Sequence, residues 1–284
     1  MHYLDLPGGT SIPSLGLGTW RMGEVAGRHK AEVAAVRAAI DMGYRLIDTA
    51  EMYGEGGAER VVGEAVADAL RAGDVRREEL FIVTKVYPHN ASRKGTPAAC
   101  ERSLKRLGVD HVDLYLLHWR GEHPLGETCE ALRALVAQGR IRHWGVSNFD
   151  TDDMEELAST CGVADCAANQ VYFSVAERGP EFSLLPWLRE RQIPLMAYSP
   201  IDQGALAEDA GLSNIAQRLG VSATQVALAW AISQPGVVAI PKAVSESHLA
   251  ENLKAADLEL TANDLKEIND LYPPPSRKKP LAMI

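Results

Sequence analysis

The chain has 284 residues, 46% of them apolar and 24% charged, with a formal net charge of -9. That length supports one large core, and the balance excludes the disordered and fibrous classes. Its acids are spread along the chain and no basic stripe is visible, which excludes non-specific nucleic-acid binding. The cysteines (Cys100, Cys129, Cys161 and Cys166) are too few and too irregular for a disulfide framework or a zinc site, so buried thiols are expected. The first residues hold no basic segment followed by an apolar run, and no stretch approaches the roughly 18 apolar residues of a membrane span. A cytoplasmic protein without a membrane partner is expected, with a monomer as its default state.

In chain order, Tyr3 to Leu6 and Thr10 to Ile12 flank Pro7-Gly8-Gly9 and predict an N-terminal β-hairpin. Eight strand candidates follow, ending at Thr19, Asp48, Lys85, His118, Ser147, Gln170, Tyr198 and Lys242. Most are short and almost continuously apolar, such as Leu80-Phe81-Ile82-Val83-Thr84, as in strands covered on both faces. Between them the apolar spacing predicts amphipathic helices over residues 30–42, 98–107, 125–138 and 223–233. Parallel neighbours need helical crossovers, so this alternation predicts an α/β fold. Eight repeats in this length fit a closed (β/α)8 TIM barrel better than an open sheet. A single domain over residues 1–284 is expected, with an extended C-terminal tail over residues 272–284 that contains Pro273-Pro274-Pro275.

A barrel gathers its active site at the C-terminal ends of its strands. Asp48 ends the second strand, Tyr53 lies in the loop after it, and Lys85 and His118 end the third and fourth. These four titratable groups directly follow apolar runs and are expected to converge. A tyrosine with a pKa near 10 is a weak acid at neutral pH, and a neighbouring ammonium is expected to lower that pKa. In this scheme Tyr53 donates a proton, Asp48 orients Lys85, and His118 holds a carbonyl oxygen. The set suits protonation of an alkoxide as hydride reaches the carbon. Acyl transfer fits poorly, because there is no Gly-x-Ser-x-Gly elbow.

The remaining strand ends suit a hydride donor. Ser147, Asn148 and Gln170 are neutral donors and acceptors matched to a carboxamide, and Tyr198 offers a flat face for a nicotinamide ring. Lys242 supplies a cation for phosphate, and a helix beginning near Ser245 adds its N-terminal amides.

The segments Gly43-Tyr44-Arg45-Leu46-Ile47-Asp48-Thr49-Ala50-Glu51-Met52-Tyr53-Gly54 and Val112-Asp113-Leu114-Tyr115-Leu116-Leu117-His118-Trp119 resemble signatures of the aldo-keto reductase family. So does Ile240-Pro241-Lys242-Ala243-Val244, continuing to Ala250-Glu251-Asn252. Gly56-Gly57-Ala58-Glu59 and Lys85-Val86-Tyr87-Pro88 are similar to its methylglyoxal-reductase-like bacterial branch. The resemblance implies a (β/α)8 barrel, NADPH-linked reduction of aldehydes or ketones, and the tetrad Asp48, Tyr53, Lys85 and His118. It implies cofactor contacts from Thr19, Trp20, Asp48, Ser147, Asn148, Gln170 and Tyr198. Ser199, Pro200, Ile201, Gly204, Ile240 and Pro241 extend that set, and Lys242, Ala243, Ser245, His248, Glu251 and Asn252 complete it. Trp20, Tyr87 and Trp119 match positions of the substrate wall beside Tyr53 and His118.

Two positions depart from the family's clamp for the cofactor 2′-phosphate, Ala243 standing for a serine and His248 for an arginine. Imidazole lacks the planar fork of guanidinium, so NADPH is expected with NADH as the alternative cofactor. The short loops after the fourth and seventh strands suggest a shallow pocket for a small carbonyl substrate such as methylglyoxal. Glycines at 16, 18, 54, 56 and 57 lack the spacing of a dinucleotide-binding fingerprint, and His118 with His123 lacks a ligand cluster, so no metal is expected. A cofactor-sensing regulatory subunit is disfavoured because the whole tetrad is present. A Schiff-base lyase is disfavoured because Lys85 beside Asp48 stays protonated.

Overall fold

The structure, a computed structural model, describes residues 2–284. Its first element is a hairpin, β1 (Tyr3–Asp5) paired antiparallel with β2 (Ser11–Pro13). The turn runs through Gly8 (φ 96°) and Gly9 (φ 85°), conformations open to glycine without steric cost. Eight parallel strands then pair in sequence order. They are β3 (Leu17–Gly18), β4 (Leu46–Asp48), β5 (Phe81–Val86), β6 (Val112–Leu117), β7 (Ile141–Ser147), β8 (Cys166–Tyr172), β9 (Leu195–Tyr198) and β10 (Val237–Ala239).

The first and last of these strands close the ring. Gly16 N donates to Ala239 O (2.9 Å), Gly18 N to Pro241 O (3.0 Å) and Ala239 N to Ser14 O (2.8 Å), with parallel bridges Leu15–Ala239 and Gly18–Lys242. The expected (β/α)8 barrel is therefore closed by backbone hydrogen bonds, leaving no free sheet edge.

The crossovers are α1 (His29–Met42), α2 (Gly57–Ala72), α3 (Gly95–Leu107), α4 (Leu125–Ala137), α5 (Thr151–Cys161), α6 (Leu184–Glu190), α7 (Ala210–Leu219) and α8 (Ala223–Ser233). After the last strand come α9 (Glu246–Ala255) and α10 (Ala262–Leu271). Their starts are set by side-chain caps where the sequence supplies them. Asp150, Ser222, Ser245 and Thr261 each accept a backbone N–H of the helix they begin.

Alternation along the strands produces two apolar layers. Leu46, Phe81, Val83, Leu114, Leu116, Ala168, Met196 and Val238 fill the barrel, and Leu6 and Ile12 of the hairpin join them. Residues between those positions, such as Ile47, Ile82, Tyr115 and Ala197, point outward to the helices. Beyond α10, residues 273–284 carry neither helix nor strand. Their end turns back to the barrel mouth, and Lys278 Nζ meets Asp152 Oδ1 at 2.6 Å on the way.

The cysteines differ from expectation. Neighbouring helices α4 and α5 bring Cys129 and Cys161 to a Cα separation of 6.4 Å, and the two form a disulfide. Their 32-residue separation in sequence hid a contact made by helix packing. Cys100 and Cys166 are free and buried, as expected.

The seam yields a direct test of closure. A Cβ added at Gly18 would stand 2.7 Å from the Ile240 carbonyl oxygen. Gly18→Ala is expected to force β3 and β10 apart and lower stability by about 1–3 kcal/mol. Thermal unfolding reads this as a fall in Tm, and an unchanged Tm would mean that the seam yields freely.

Candidate active site

The two-residue period that fills the barrel also builds its mouth. On the inward face, Leu46 is followed by Asp48, Phe81 and Val83 by Lys85, and Leu114 and Leu116 by His118. The same step leads from Ala168 to Gln170, from Met196 to Tyr198, and from Val238 through Ile240 to Lys242. Each of these six strands thus exchanges apolar filling for a polar group as it leaves the core. Tyr53 reaches the same place from the β4–α2 loop.

Five of these groups form one cluster. Lys85 is fully buried, and its Nζ lies 2.9 and 2.8 Å from the two oxygens of Asp48. The same nitrogen donates to Thr49 O (2.9 Å) and to the Tyr53 hydroxyl (3.1 Å), so its polar capacity is filled. Gln170 Nε2 donates to Asp48 Oδ1 at 2.8 Å. The His118 ring stands edge-on to Tyr53 with centroids 5.8 Å apart, and its Nδ1 has no partner among the described residues. A lysine engaged in this way has no free lone pair for Schiff-base chemistry.

Burial dominates the electrostatics. It raises the Asp48 pKa and lowers that of Lys85, each opposed by the charge of the other. Contacts to both carboxylate oxygens are those of a charged pair. Burial, with Lys85 second, holds His118 well below its ordinary value, so a neutral imidazole faces the mouth at pH 7. The expected lowering of the Tyr53 pKa by Lys85 is not found. Burial, with the charge of Asp48 second, holds the phenol well above 10. The ammonium is already answered by Asp48, so its field at the phenol is largely cancelled.

A cavity of about 600 Å³ opens above this cluster. Its wall contains Trp20, Asp48, Tyr53, His118 and Trp119. Ser147, Asn148, Gln170, Tyr198, Ser199, Pro200, Ile201 and Gly204 also line it, as do Ile240, Pro241, Lys242, Ala243, His248, Glu251 and Asn252. Part of this lining is braced internally. Tyr198 donates to Asn148 Oδ1 (2.9 Å), Asn148 Nδ2 to His118 O (3.1 Å), and Ser147 Oγ to Gln170 O (2.8 Å).

Besides the buried Lys85, three expected residues are not part of this wall. Thr19 is buried and donates to Asp48 O (2.9 Å), while Ser245 caps α9 through the His248 N–H (3.3 Å). Tyr87 meets Trp119 edge-on at 5.6 Å and lines a second cavity instead.

Other lining groups escaped the strand-end rule. Arg21 lies 4.4 Å from the Trp20 ring centroid, and neither it nor Lys242 has an ion pair among the described residues. Ser222 and Thr224 come from the start of α8, Gln203 from the loop after β9, and Met283 and Ile284 from the tail. A rule that looks only at strands cannot find groups carried by a helix start or a returning tail. No group of metal-ligating side chains occurs among the described residues, and no described helix is long and apolar enough to cross a membrane.

Residues 14–273 match the aldo/keto reductase family, and the chain belongs to that family of oxidoreductases. It is 47% identical over 286 residues to the methylglyoxal reductase YeaE of Escherichia coli (strain K12), covering 99% of this chain and 98% of the relative. To the glyoxal reductase of Bacillus subtilis (strain 168) it is 38% identical over 268 residues, covering 94% and 92% of the two chains. It superposes on the crystal structure of an aldo-keto reductase from Klebsiella pneumoniae in complex with NADPH with a TM-score of 0.93, at 46% identity and 100% coverage of both chains.

Removing one member of the buried pair should cost more than an ordinary core substitution. Lys85→Met leaves the buried Asp48 without its counter-ion, to stay charged or take up a proton at a cost, and is expected to destabilise the fold by about 3–5 kcal/mol. Equilibrium unfolding in urea measures it. A loss below about 1 kcal/mol would mean that the pair is already well solvated.

Proposed function

We propose that the chain is an NADPH-dependent reductase of small aldehydes, ketones and dicarbonyls of the methylglyoxal type, with Tyr53 as the proton donor. The observation that carries this reading is the Tyr53 hydroxyl held 3.1 Å from Lys85 Nζ beside a neutral His118, in the wall of the large cavity. The cavity wall fits a nicotinamide dinucleotide along its length. Ser147, Asn148 and Gln170 offer neutral partners to a carboxamide, Tyr198 offers a ring face, and the unpaired Lys242 and Arg21 face the phosphates. Such a cofactor supplies hydride to the carbonyl carbon.

The protein groups handle the oxygen. His118, neutral, holds the carbonyl oxygen by a hydrogen bond and orients it. Tyr53 keeps its proton until charge builds on that oxygen, then donates it. The phenolate left behind accepts a hydrogen bond from Lys85, which Asp48 holds charged and in place. The raised pKa makes the phenol a weaker acid, so donation waits on the strongly basic nascent alkoxide, and the ammonium acts on the product of the transfer.

The substrate class rests on two supports. Trp20 and Trp119 are the large apolar walls near Tyr53, and the relatives named above carry methylglyoxal and glyoxal reductase as their names. NADPH is favoured over NADH by Lys242, although Ala243 and His248 offer no guanidinium to a 2′-phosphate.

The test is Tyr53→Phe, assayed with NADPH and NADH on methylglyoxal, glyoxal and larger ketones. NADPH binding should survive while reduction falls by at least about 100-fold. Near-normal turnover by the variant would refute the proton donor. Activity on bulky ketones alone would refute the substrate class, and equal efficiency with NADH would refute the cofactor.

The pH profile follows from the two shifted groups. His118 stays neutral and Tyr53 protonated between about pH 7 and 9, so kcat/KM for reduction should be flat there and fall only as the phenol ionises at higher pH. Alcohol oxidation needs the phenolate and should accelerate as pH rises. A reduction profile that bends near the ordinary histidine pKa would contradict this assignment.

A further inference from the structure

The second cavity, of about 420 Å³, is lined by residues of the β4–α2 loop, the β5–α3 loop and α3, with Tyr87 in its wall. Its most buried polar group is Glu51, 8% exposed and two residues before Tyr53. Glu51 Oε1 accepts from Tyr87 N (2.8 Å) and from Asn90 Nδ2 (3.0 Å), both on the β5–α3 loop. Its Oε2 faces Arg102 at 3.6 Å and Arg106 at 3.9 Å, both on α3. Its own N–H reaches back to Lys85 O at 3.5 Å. One carboxylate thus joins the loop of Tyr53, the loop of Tyr87 and the following helix. Two neutral donors and two guanidinium groups offset the cost of burying its charge.

The consequence reaches the substrate wall through two rings. Trp119 lines the main cavity, Tyr87 meets its ring at 5.6 Å, and Tyr87 in turn lines the second cavity. The wall beside the reacting centre is therefore backed by a hollow. A close-packed backing would hold Trp119 by contact alone. Here Trp119 rests on the His118 and Tyr87 rings, and Tyr87 is itself held by the His89 ring at 4.6 Å and by the hydrogen bond that fixes its backbone to Glu51.

We propose that Glu51 is a positioning residue that sets the width of the substrate pocket, holding Tyr87 so that Trp119 cannot retreat into the second cavity. Selection for small carbonyl compounds then depends on a carboxylate that touches neither substrate nor cofactor. This inference rests on the reductase reading given above, and names what confines its substrate class.

The test compares Glu51→Ala, Glu51→Gln and Asn90→Ala with the wild type, using NADPH with methylglyoxal and with 2-naphthaldehyde. In Glu51→Ala the KM for methylglyoxal should rise about tenfold while kcat changes less than about threefold. The ratio of kcat/KM values should move towards 2-naphthaldehyde by about tenfold or more. Glu51→Gln keeps an acceptor for Tyr87 N and should stay within about threefold of the wild type, and Asn90→Ala should move the ratio the same way by less. Unchanged NADPH affinity checks that each variant is folded.

Equal losses on both aldehydes, or a loss in kcat with KM unchanged, would overturn the proposal. A wild type that reduces neither aldehyde would instead remove the substrate reading. In that event a crystal structure of Glu51→Ala decides the inference alone. Tyr87 displaced towards the second cavity supports it, and Tyr87 unmoved overturns it.

Discussion

The site hangs on the ion pair between Lys85 and Asp48. Both groups are almost inaccessible to water, and each is tolerable there only because the other is present. Once paired they organise their surroundings. Asp48 receives Gln170 from the far side of the barrel, while Lys85 reaches the Thr49 carbonyl and the Tyr53 hydroxyl. Three strands and one loop are thereby held to a common centre. The pair contributes geometry more than attraction, since burial works against the charge on both partners.

This explains why the phenol behaves differently from a tyrosine beside a free lysine. Ammonium and carboxylate together present a dipole, and at Tyr53 the carboxylate and the loss of water prevail. The proton stays on until a stronger base appears beside it. In the proposed reaction that base is the nascent alkoxide, which exists only while hydride is arriving. A donor poised in this way discriminates in time, releasing its proton to the transition state and not to bulk water.

Much of this was legible in the sequence because strand alternation is a local rule. Leu46 to Asp48 and Phe81, Val83 to Lys85 are read from spacing alone, and the ring of parallel strands then brings their ends together. The helix over 223–233 and the cap at Ser245 were equally local. What escaped depends on partners distant in the chain. Cys129 meets Cys161 only because α4 and α5 are neighbours in space. The direction of the Tyr53 shift needed the balance between Asp48 and burial, which no spacing reveals. Tyr87 lines the second cavity and not the first, on a β5–α3 loop tied to Glu51, and Ser222, Thr224 and Ile284 arrive from elements without an inward-facing strand.

The seam between β3 and β10 has a further implication. Its hydrogen bonds fix the register in which β3 meets β10, and inward and outward positions differ by a single residue along every strand. A slip of one position at this seam would turn Gly18 away from Lys242 and offset the two strand ends that carry Trp20 and Lys242 to the cavity. Asp48, Lys85 and His118 are held by the ladders between β4, β5 and β6. The seam therefore governs the part of the cavity wall where the first strand meets the last.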